Sequence, residues 1–280
     1  MPIMDILLPL AGEPELSAIA AIDKCVAVAG NIGARITALA VEEEIPVRPK
    51  VTISADLDNT TAIAAARSVT NAKGLLDAFD AAAIRLGVRS EQRLSRLAGA
   101  EIPAHFALWA RLKDLSIVPV KADDGQSEKI VEQLIFESGR PILLCPEEHA
   151  ATLAVAFEEA VIAWDHTAPA ARAVADALPM LQAAARVRVI TATDDKTPAE
   201  MVSAAALVAH LAEHGIKAGF EAVRIDGSSV GKVFETYAKT NMIDLLVMGA
   251  YRHSRLNQMI WGGATKTIIG RPPCWVMMSR

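Results

Sequence analysis

The C-terminal half of the chain alternates between two hydrophobic periods, which predict strands and helices in turn. Short apolar or β-branched runs indicate buried strands, whereas apolar residues that recur every three or four positions indicate amphipathic helices. The predicted strands are 159–164, 187–193, 220–225, 244–248 and 274–278. Because a helix separates each strand from the next, the pattern favours a parallel sheet with helices on both faces.

Capping residues mark where the helices between these strands begin. Pro169 stands at the start of the first helix, after a short turn. Thr197-Pro198-Ala199-Glu200 has the form of a capping box with proline at the first helical position, and Gly215 can end that helix. Ser228 or Ser229 can cap the next helix. These boundaries predict five strands that are connected by four helices.

The N-terminal half predicts the same order of elements from weaker signals. Its expected strands are 5–10, 34–41, a weak one within 88–94, 114–118 and 141–145. Its expected helices are one capped by Ser17, followed by 60–86, 102–112 and 128–137. The two halves therefore belong to the same α/β fold class.

Two short sequence echoes indicate that the halves arose by duplication. Asp114-Leu115 recurs 130 residues later as Asp244-Leu245, and Gly139-Arg140-Pro141 recurs 131 residues later as Gly270-Arg271-Pro272. The first strands are 155 residues apart, so the N-terminal half carries 24 additional residues, which we assign to 42–59. Such internal similarity is the signature of a repeat.

The predicted fold is therefore two tandem, doubly wound, Rossmann-like domains, each with a five-stranded parallel sheet. The first domain comprises residues 1–148 and the second comprises residues 152–280, with the linker near 147–152. Alternating strands and right-handed crossovers leave few other topologies.

Composition narrows the classes of protein that the chain can represent. Apolar residues make up 52% and aromatic residues 4%, which predicts aliphatic cores, and the net charge of −5 provides no overall basic surface for nucleic acid. The three cysteines have no metal-like spacing and suggest buried thiols in a reducing compartment. No signal-peptide pattern opens the chain, and no uncharged run approaches the roughly 20 residues that span a bilayer. We therefore expect a cytoplasmic protein that binds neither nucleic acid nor membranes.

The C-terminal half resembles the universal stress protein family. The resemblance rests on the strand end Val161-Ile162-Ala163-Trp164-Asp165 and on the segment that follows the fourth strand. Nucleotide-binding members of that family carry G-x2-G-x9-G-[ST] there. This chain keeps the spacing with Gly249 and Gly262, but Arg252 replaces the second glycine and Gly263 replaces the serine or threonine. The N-terminal half resembles the family only in its order of elements and in the Gly-Arg-Pro echo.

These residues also predict a ligand site on physical grounds. Ligands of open parallel sheets bind beyond the carboxyl ends of the strands, where glycine and a helix N-terminus present backbone N–H groups to phosphate. A carboxylate at Asp165 could accept hydrogen bonds from a ribose or adenine group, and the resemblance adds backbone groups at Ala192 for adenine. The candidate binding residues are Asp165, Ala192, Gly249, Arg252, Gly262, Gly263 and Thr265. The implied ligand is ATP or a related adenine nucleotide, with or without Mg²⁺.

Several of these residues have an alternative structural interpretation. Asp165 could equally be a turn residue or the cap before Pro169, and Thr265 could belong to the core. Arg252 could pair with a phosphate, or it could reshape the loop if the family's glycine has a positive φ. His253 could act as a base and Ser254 as a nucleophile, but the sequence offers no third group to orient them.

The N-terminal half lacks the corresponding groups. Pro119 stands where the C-terminal half has Gly249, and Leu10 stands where it has Asp165, so a backbone donor and a carboxylate are both missing. We expect no nucleotide within residues 1–146, and we expect this half to serve as a structural or partner-binding repeat.

The resemblance implies a stress-response protein that binds ATP through its C-terminal domain without catalysis. The alternative is an interaction or regulatory module in which both sites are degenerate. An enzyme ranks last, because no paired carboxylates, metal cluster or triad accompany the glycines. Since last strands pair across dimers in the family, we expect the two halves to form an internal pseudo-dimer; a homodimer of whole chains is compatible with this arrangement.

Overall fold

The computed structural model of the protein describes residues 2–45, 55–194, 198–251 and 263–280. Its N-terminal half contains β1 (Asp5–Leu10), α1 (Leu16–Ile32), β2 (Arg35–Glu43), α2 (Ala55–Leu86), β3 (Ser90–Leu97), α3 (Ile102–Ala110), β4 (Leu115–Val120), α4 (Gly125–Glu137) and β5 (Ile142–Pro146). A short 3-10 helix precedes α3, and a second one, Glu147–Thr152, occupies the predicted linker.

The C-terminal half repeats this order with nine elements of its own. They are β6 (Glu159–Ala163), α5 (Ala168–Ala183), β7 (Arg186–Ala192), α6 (Pro198–Glu213), β8 (Ala218–Val223), α7 (Val230–Thr240), β9 (Leu245–Gly249), α8 (Gly263–Gly270) and β10 (Trp275–Ser279). Thr167 and Ser229 cap α5 and α7 through their side chains. Among the helices of the described residues, none is long and apolar enough to cross a bilayer.

The ten strands of the described residues form one sheet in the order β3-β2-β1-β4-β5-β10-β9-β6-β7-β8. Strands within each half pair in parallel, which confirms the predicted doubly wound domains. The exception is the seam between halves, where β5 and β10 pair antiparallel. Leu144 faces Val276 there, and Ile142 faces Met278, so the last strands of the two halves pair as expected for an internal pseudo-dimer.

The two halves make the same hydrogen bonds at the amino ends of their strands, as the predicted duplication implies. The carboxylate of Asp114 accepts two successive backbone N–H groups at the start of β1, at 2.9 and 3.0 Å. Asp244 accepts the two equivalent N–H groups at the start of β6, at 3.0 and 2.8 Å. The Asp-Leu echo in the sequence therefore marks a repeated contact that ties the first strand of each half to the fourth.

Each face of the sheet carries one layer of helices over an aliphatic core. One core packs α1, α2, α5 and α6 against the sheet, and the other packs α3, α4, α7 and α8. Both cores contain residues from the two halves, so the seam does not interrupt either of them. The three cysteines are buried in these cores as free thiols.

Three of the predicted boundaries differ from those in the structure. Ser17 does not cap α1, because the helix already includes Leu16 and the Ser17 hydroxyl donates to Glu147 Oε2 at 3.5 Å. β8 ends at Val223 and not at Ile225, because the Asp194 carboxylate accepts the backbone N–H groups of Ile225 and Asp226. The additional segment 42–59 is partly regular, because β2 and α2 extend into it from either side.

Candidate functional site

A cleft of about 560 Å³ opens at the carboxyl edge of the C-terminal sheet. It lies where β6 and β9 are neighbours, at the point where the connections diverge to opposite faces. The cleft brings together five of the seven residues predicted from sequence, namely Asp165, Ala192, Gly249, Gly263 and Thr265. The other two, Arg252 and Gly262, lie outside the described residues, as do His253 and Ser254.

Asp165 is a turn residue, which is one of the roles that the sequence left open, and its nucleotide contact stays a prediction. Its Oδ1 atom accepts hydrogen bonds from the Thr167 backbone N–H at 3.1 Å and from the Thr167 hydroxyl at 2.6 Å. Thr167 in turn caps α5 by accepting the Ala170 N–H at 3.3 Å. Among the contacts of the described residues, Oδ2 of Asp165 has no such partner, so this turn fixes the carboxylate while one oxygen lies at the cleft.

His166 is strained in a way that the sequence analysis missed. Its φ is +64°, in the left-handed region that residues with a side chain rarely adopt. Its ring lies 5.9 Å from the ring of Trp164. Trp164 itself is held by its indole N–H, which donates to the Ser203 hydroxyl at 3.1 Å. This tryptophan is therefore a packed residue that also lines the cleft.

Gly249 is a glycine because α5 packs directly against it. A Cβ atom at this position would lie 2.5 Å from the Ala170 nitrogen and 2.7 Å from the Pro169 carbonyl carbon. Real Cβ atoms do not approach backbone this closely, so packing alone accounts for the residue. Gly263 differs, because a Cβ atom there would meet nothing within 4 Å among the described residues. The first turn of α8 therefore has open space beside it.

Thr265 is buried and binds the backbone just after the end of β9. Its hydroxyl accepts the Tyr251 backbone N–H at 3.3 Å, and its residue is 4% exposed. The alternative interpretation of Thr265 as a core residue therefore agrees with its burial. Tyr251, which the sequence analysis did not select, has a φ of +49° and leaves β9 to line the cleft.

The remaining walls suit an apolar ring more than a charged group. Ala163, Met248, Val230 and Phe234 line the cleft beside Ala192. Among its described lining residues, ionisable side chains are limited to Asp165, His166 and Tyr251. The negative charge of a phosphate at this site would therefore have to be stabilised by the backbone N–H groups at the start of α8 and by any cationic side chain from residues 252–262.

The N-terminal half has a cleft at the equivalent edge with different chemistry. It measures about 330 Å³, and Leu10 and Pro119 line it as the sequence predicts. Four carboxylates also line it, at Glu13, Glu15, Asp124 and Glu147, together with Lys121, whose Nζ donates to Glu15 at 2.9 Å.

Burial raises the pKa of Glu147 to about 6. The positive charge of Lys121 opposes that shift, whereas the neighbouring carboxylates Glu148 and Glu15 add to it. A phosphate would meet a net negative surface here.

The sheet order and the carboxyl-edge cleft define a tandem, doubly wound α/β protein. The sequence model of the universal stress protein family matches residues 149–280. The C-terminal half therefore has the sequence of a universal stress protein domain, and the N-terminal half repeats its fold. A comparison with curated protein sequences finds no match.

Solved structures of similar length share the fold along the whole chain. A universal stress protein from Archaeoglobus fulgidus is 14% identical, with a TM-score of 0.68 over 99% of this chain and 98% of that chain. A functionally unknown protein from Pseudomonas aeruginosa is 14% identical, with a TM-score of 0.58 over 99% of this chain and 92% of that chain. Another A. fulgidus universal stress protein, solved in complex with dAMP, is 15% identical over 52% of this chain and 99% of that chain, with a TM-score of 0.35.

Proposed function

We propose that the C-terminal half binds an adenine nucleotide, ATP or a close relative, in the cleft between β6 and β9. The observation that carries this proposal is the convergence of Asp165, Ala192, Gly249, Gly263 and Thr265 on a cleft of about 560 Å³. Clefts of a few hundred Å³ with apolar walls and a few polar groups are the usual form of small-molecule sites.

Each part of the nucleotide has a matching part of the cleft. The apolar wall of Val230 and Phe234 suits a purine ring, and Oδ2 of Asp165 can accept from a ribose hydroxyl. The phosphates would lie at the start of α8, where N–H groups and the helix dipole favour negative charge. Mg²⁺ would accompany the phosphates, because no acidic cluster of the described residues could hold it alone.

The proposed activity is binding without a committed reaction. The Thr167 hydroxyl, which donates to Asp165, also caps α5 by accepting the Ala170 N–H, so we assign this pair a structural role rather than that of a nucleophile and its base. A phosphate-release assay with ATP and Mg²⁺ should give no turnover above background. Sustained release that follows the protein concentration would replace this proposal with an ATPase.

Gly263 provides the sharpest test of binding. Because open space faces this residue, Gly263→Ser should restore the hydroxyl that nucleotide-binding relatives carry without disturbing the fold. We expect ADP and ATP to bind up to about tenfold more tightly, which is the value of one hydrogen bond. Gly263→Ala is the matched control, because it adds the Cβ atom without the hydroxyl and should leave affinity near that of the wild type.

Thermal-shift titrations with ATP, ADP and AMP, with and without Mg²⁺, measure these affinities through ligand stabilisation. A gain for Gly263→Ser over Gly263→Ala supports the proposal. Absence of any shift at millimolar nucleotide in the wild type and in Gly263→Ser would leave the interaction-module function. The turn that occupies Oδ1 of Asp165 and the packing that explains Gly249 are the observations that favour that second function.

A further inference from the structure

Tyr251 links the two halves of the chain at the edge of the C-terminal cleft. It directly follows β9 and Ala250, yet it is only 6% exposed, because its ring packs against α4 of the N-terminal half. Its hydroxyl donates to Glu132 Oε1 at 3.1 Å, and its ring stacks on Phe136 with the centroids 4.9 Å apart. Both partners precede Tyr251 by more than a hundred residues, so the contact exists only when the halves are docked.

Further contacts fix α4 relative to the C-terminal half. The guanidinium of Arg280 lies 4.4 Å from the centroid of the Phe136 ring. The Asp123 N–H donates to the Gly270 carbonyl at 2.9 Å, and the Asp123 carboxylate pairs with Arg271. The Asp123 contacts join the residues just before α4 to the end of α8, and the Arg280 contact joins α4 to the C-terminus.

Tyr251 also contacts the first turn of α8, through its backbone. Its backbone N–H donates to Thr265, two residues beyond Gly263, and thereby joins the end of β9 to the start of α8. Its φ of +49° is unfavourable for a residue with a side chain, so the surrounding contacts must hold it. The residues on either side of the segment 252–262 are thus tied to each other and to the N-terminal half.

We infer that α4 of the N-terminal half supports the first turn of α8, at the end of the C-terminal cleft where the phosphates of a nucleotide would bind. Glu132 and Phe136 are positioning residues, which act through Tyr251 and Thr265 on the N–H groups at the start of α8. This inference rests on the proposed function for its ligand. It gives the N-terminal half a task in nucleotide binding that requires no nucleotide of its own.

Two variants test the support, and a third is the matched control. Tyr251→Phe and Glu132→Gln each weaken the bond between the halves while keeping the size of the side chain. Tyr237→Phe removes a similar bond, from Tyr237 to Glu221 Oε2 at 2.6 Å, that joins α7 to β8 within the C-terminal half. We expect ADP affinity to fall about three- to tenfold in the two test variants and to stay unchanged in the control.

The comparison of ADP with adenosine separates positioning from a general loss of structure. Adenosine has no phosphate, so its affinity should be the same in the wild type and in all three variants. Unchanged ADP affinity in Tyr251→Phe and Glu132→Gln, or an equal loss for ADP and adenosine, would overturn the inference.

Hydrogen exchange provides a readout that needs no nucleotide. Amides in 263–270 should exchange faster in Tyr251→Phe and Glu132→Gln than in the wild type and Tyr237→Phe. If the wild type binds neither ADP nor adenosine, the proposed function fails. Hydrogen exchange alone then tests whether α4 supports the first turn of α8. Equal exchange in all four proteins contradicts it, and selective acceleration in the two test variants upholds it.

Discussion

The two halves of this protein present clefts at the same edge of the same sheet, but the clefts differ in their chemistry. The C-terminal cleft, of about 560 Å³, contains Gly249 and the open first turn of α8. The N-terminal cleft, of about 330 Å³, contains Pro119 and a group of carboxylates. Duplication has therefore preserved the geometry of the strand ends while the residues that could meet a ligand have diverged.

The amino ends of the strands show the opposite pattern. Asp114 and Asp244 make the same pair of backbone hydrogen bonds in the two halves. Such bonds hold strands together in the absence of any ligand, so they are needed for folding in both halves. The comparison teaches that the structural edge of a duplicated sheet can remain the same while its ligand edge changes.

One difference at the amino edge predicts the largest effect on stability. Lys113 precedes Asp114 in the N-terminal half, whereas the apolar Ile243 precedes Asp244 in the other. The Lys113 side chain is 5% exposed, and its ammonium donates to Asp5 at 2.9 Å and to Thr37 at 2.8 Å. Asp5→Ala should cost about 2–3 kcal/mol in the free energy of unfolding, because it leaves a buried charge without its anion.

The double variant Asp5→Ala/Lys113→Ile is the control, since it removes both charges of the pair, places the isoleucine of the C-terminal half at position 113 and should recover most of the loss. The effect also depends on pH. Burial tends to raise the pKa of Asp5, but hydrogen bonds from Arg35 and Lys113 outweigh it and lower the pKa below 3.8. The stabilisation is therefore present above pH 3.8 and is lost as the pH falls through the lower, folded-state pKa. Urea unfolding that finds Asp5→Ala as stable as the wild type at neutral pH would refute this account.

The glycine that distinguishes the C-terminal cleft predicts the next effect. Gly249→Ala places a Cβ atom against the Pro169–Ala170 backbone and should cost about 1–3 kcal/mol through overpacking. Gly263→Ala, which meets open space, should leave the unfolding free energy nearly unchanged or raise it slightly. Thermal or urea unfolding of both variants measures the contrast, and equal stability of the two would remove the packing explanation of Gly249.

The acidic N-terminal cleft predicts a smaller effect of opposite sign. Burial raises the pKa of Glu147 from 4.5 to about 6, so its charge is disfavoured in the folded state and stability falls as the pH rises through this range. Glu147→Gln should therefore stabilise the protein by about 1 kcal/mol above pH 6, a value reduced for partial solvent exposure. The gain should vanish below pH 4.5. A gain that is independent of pH would show that charge is not its cause.

The sequence predicted the order of elements because each element depends on its own local pattern. Buried strands and amphipathic helices carry separate periods. The Asp-Leu echo indicated the duplication, whereas the strand-start contact that Asp114 and Asp244 share is seen only in the structure. The pairing of β5 with β10 was also expected from the duplication and the family resemblance, although its antiparallel direction was not predicted. Within the C-terminal site, five of seven candidate residues line one cleft.

Features that depend on distant residues could not be predicted. Ser17 has a capping residue's chemistry, but its hydroxyl binds Glu147, which lies 130 positions later in the chain. Tyr251 shows no local signal for its contacts, because Glu132 is 119 positions earlier. Gly249 was attributed to phosphate binding because the approach of α5 that requires a glycine is visible only in three dimensions.

A calorimetric titration of the wild-type chain with ADP and Mg²⁺ tests most directly the claim that only one of the two clefts binds a nucleotide. The account predicts saturable binding of one nucleotide per chain, weakened in Asp165→Asn, which keeps the turn at Thr167 but removes the carboxylate charge. Two nucleotides per chain, or no saturation at millimolar ADP, would contradict it.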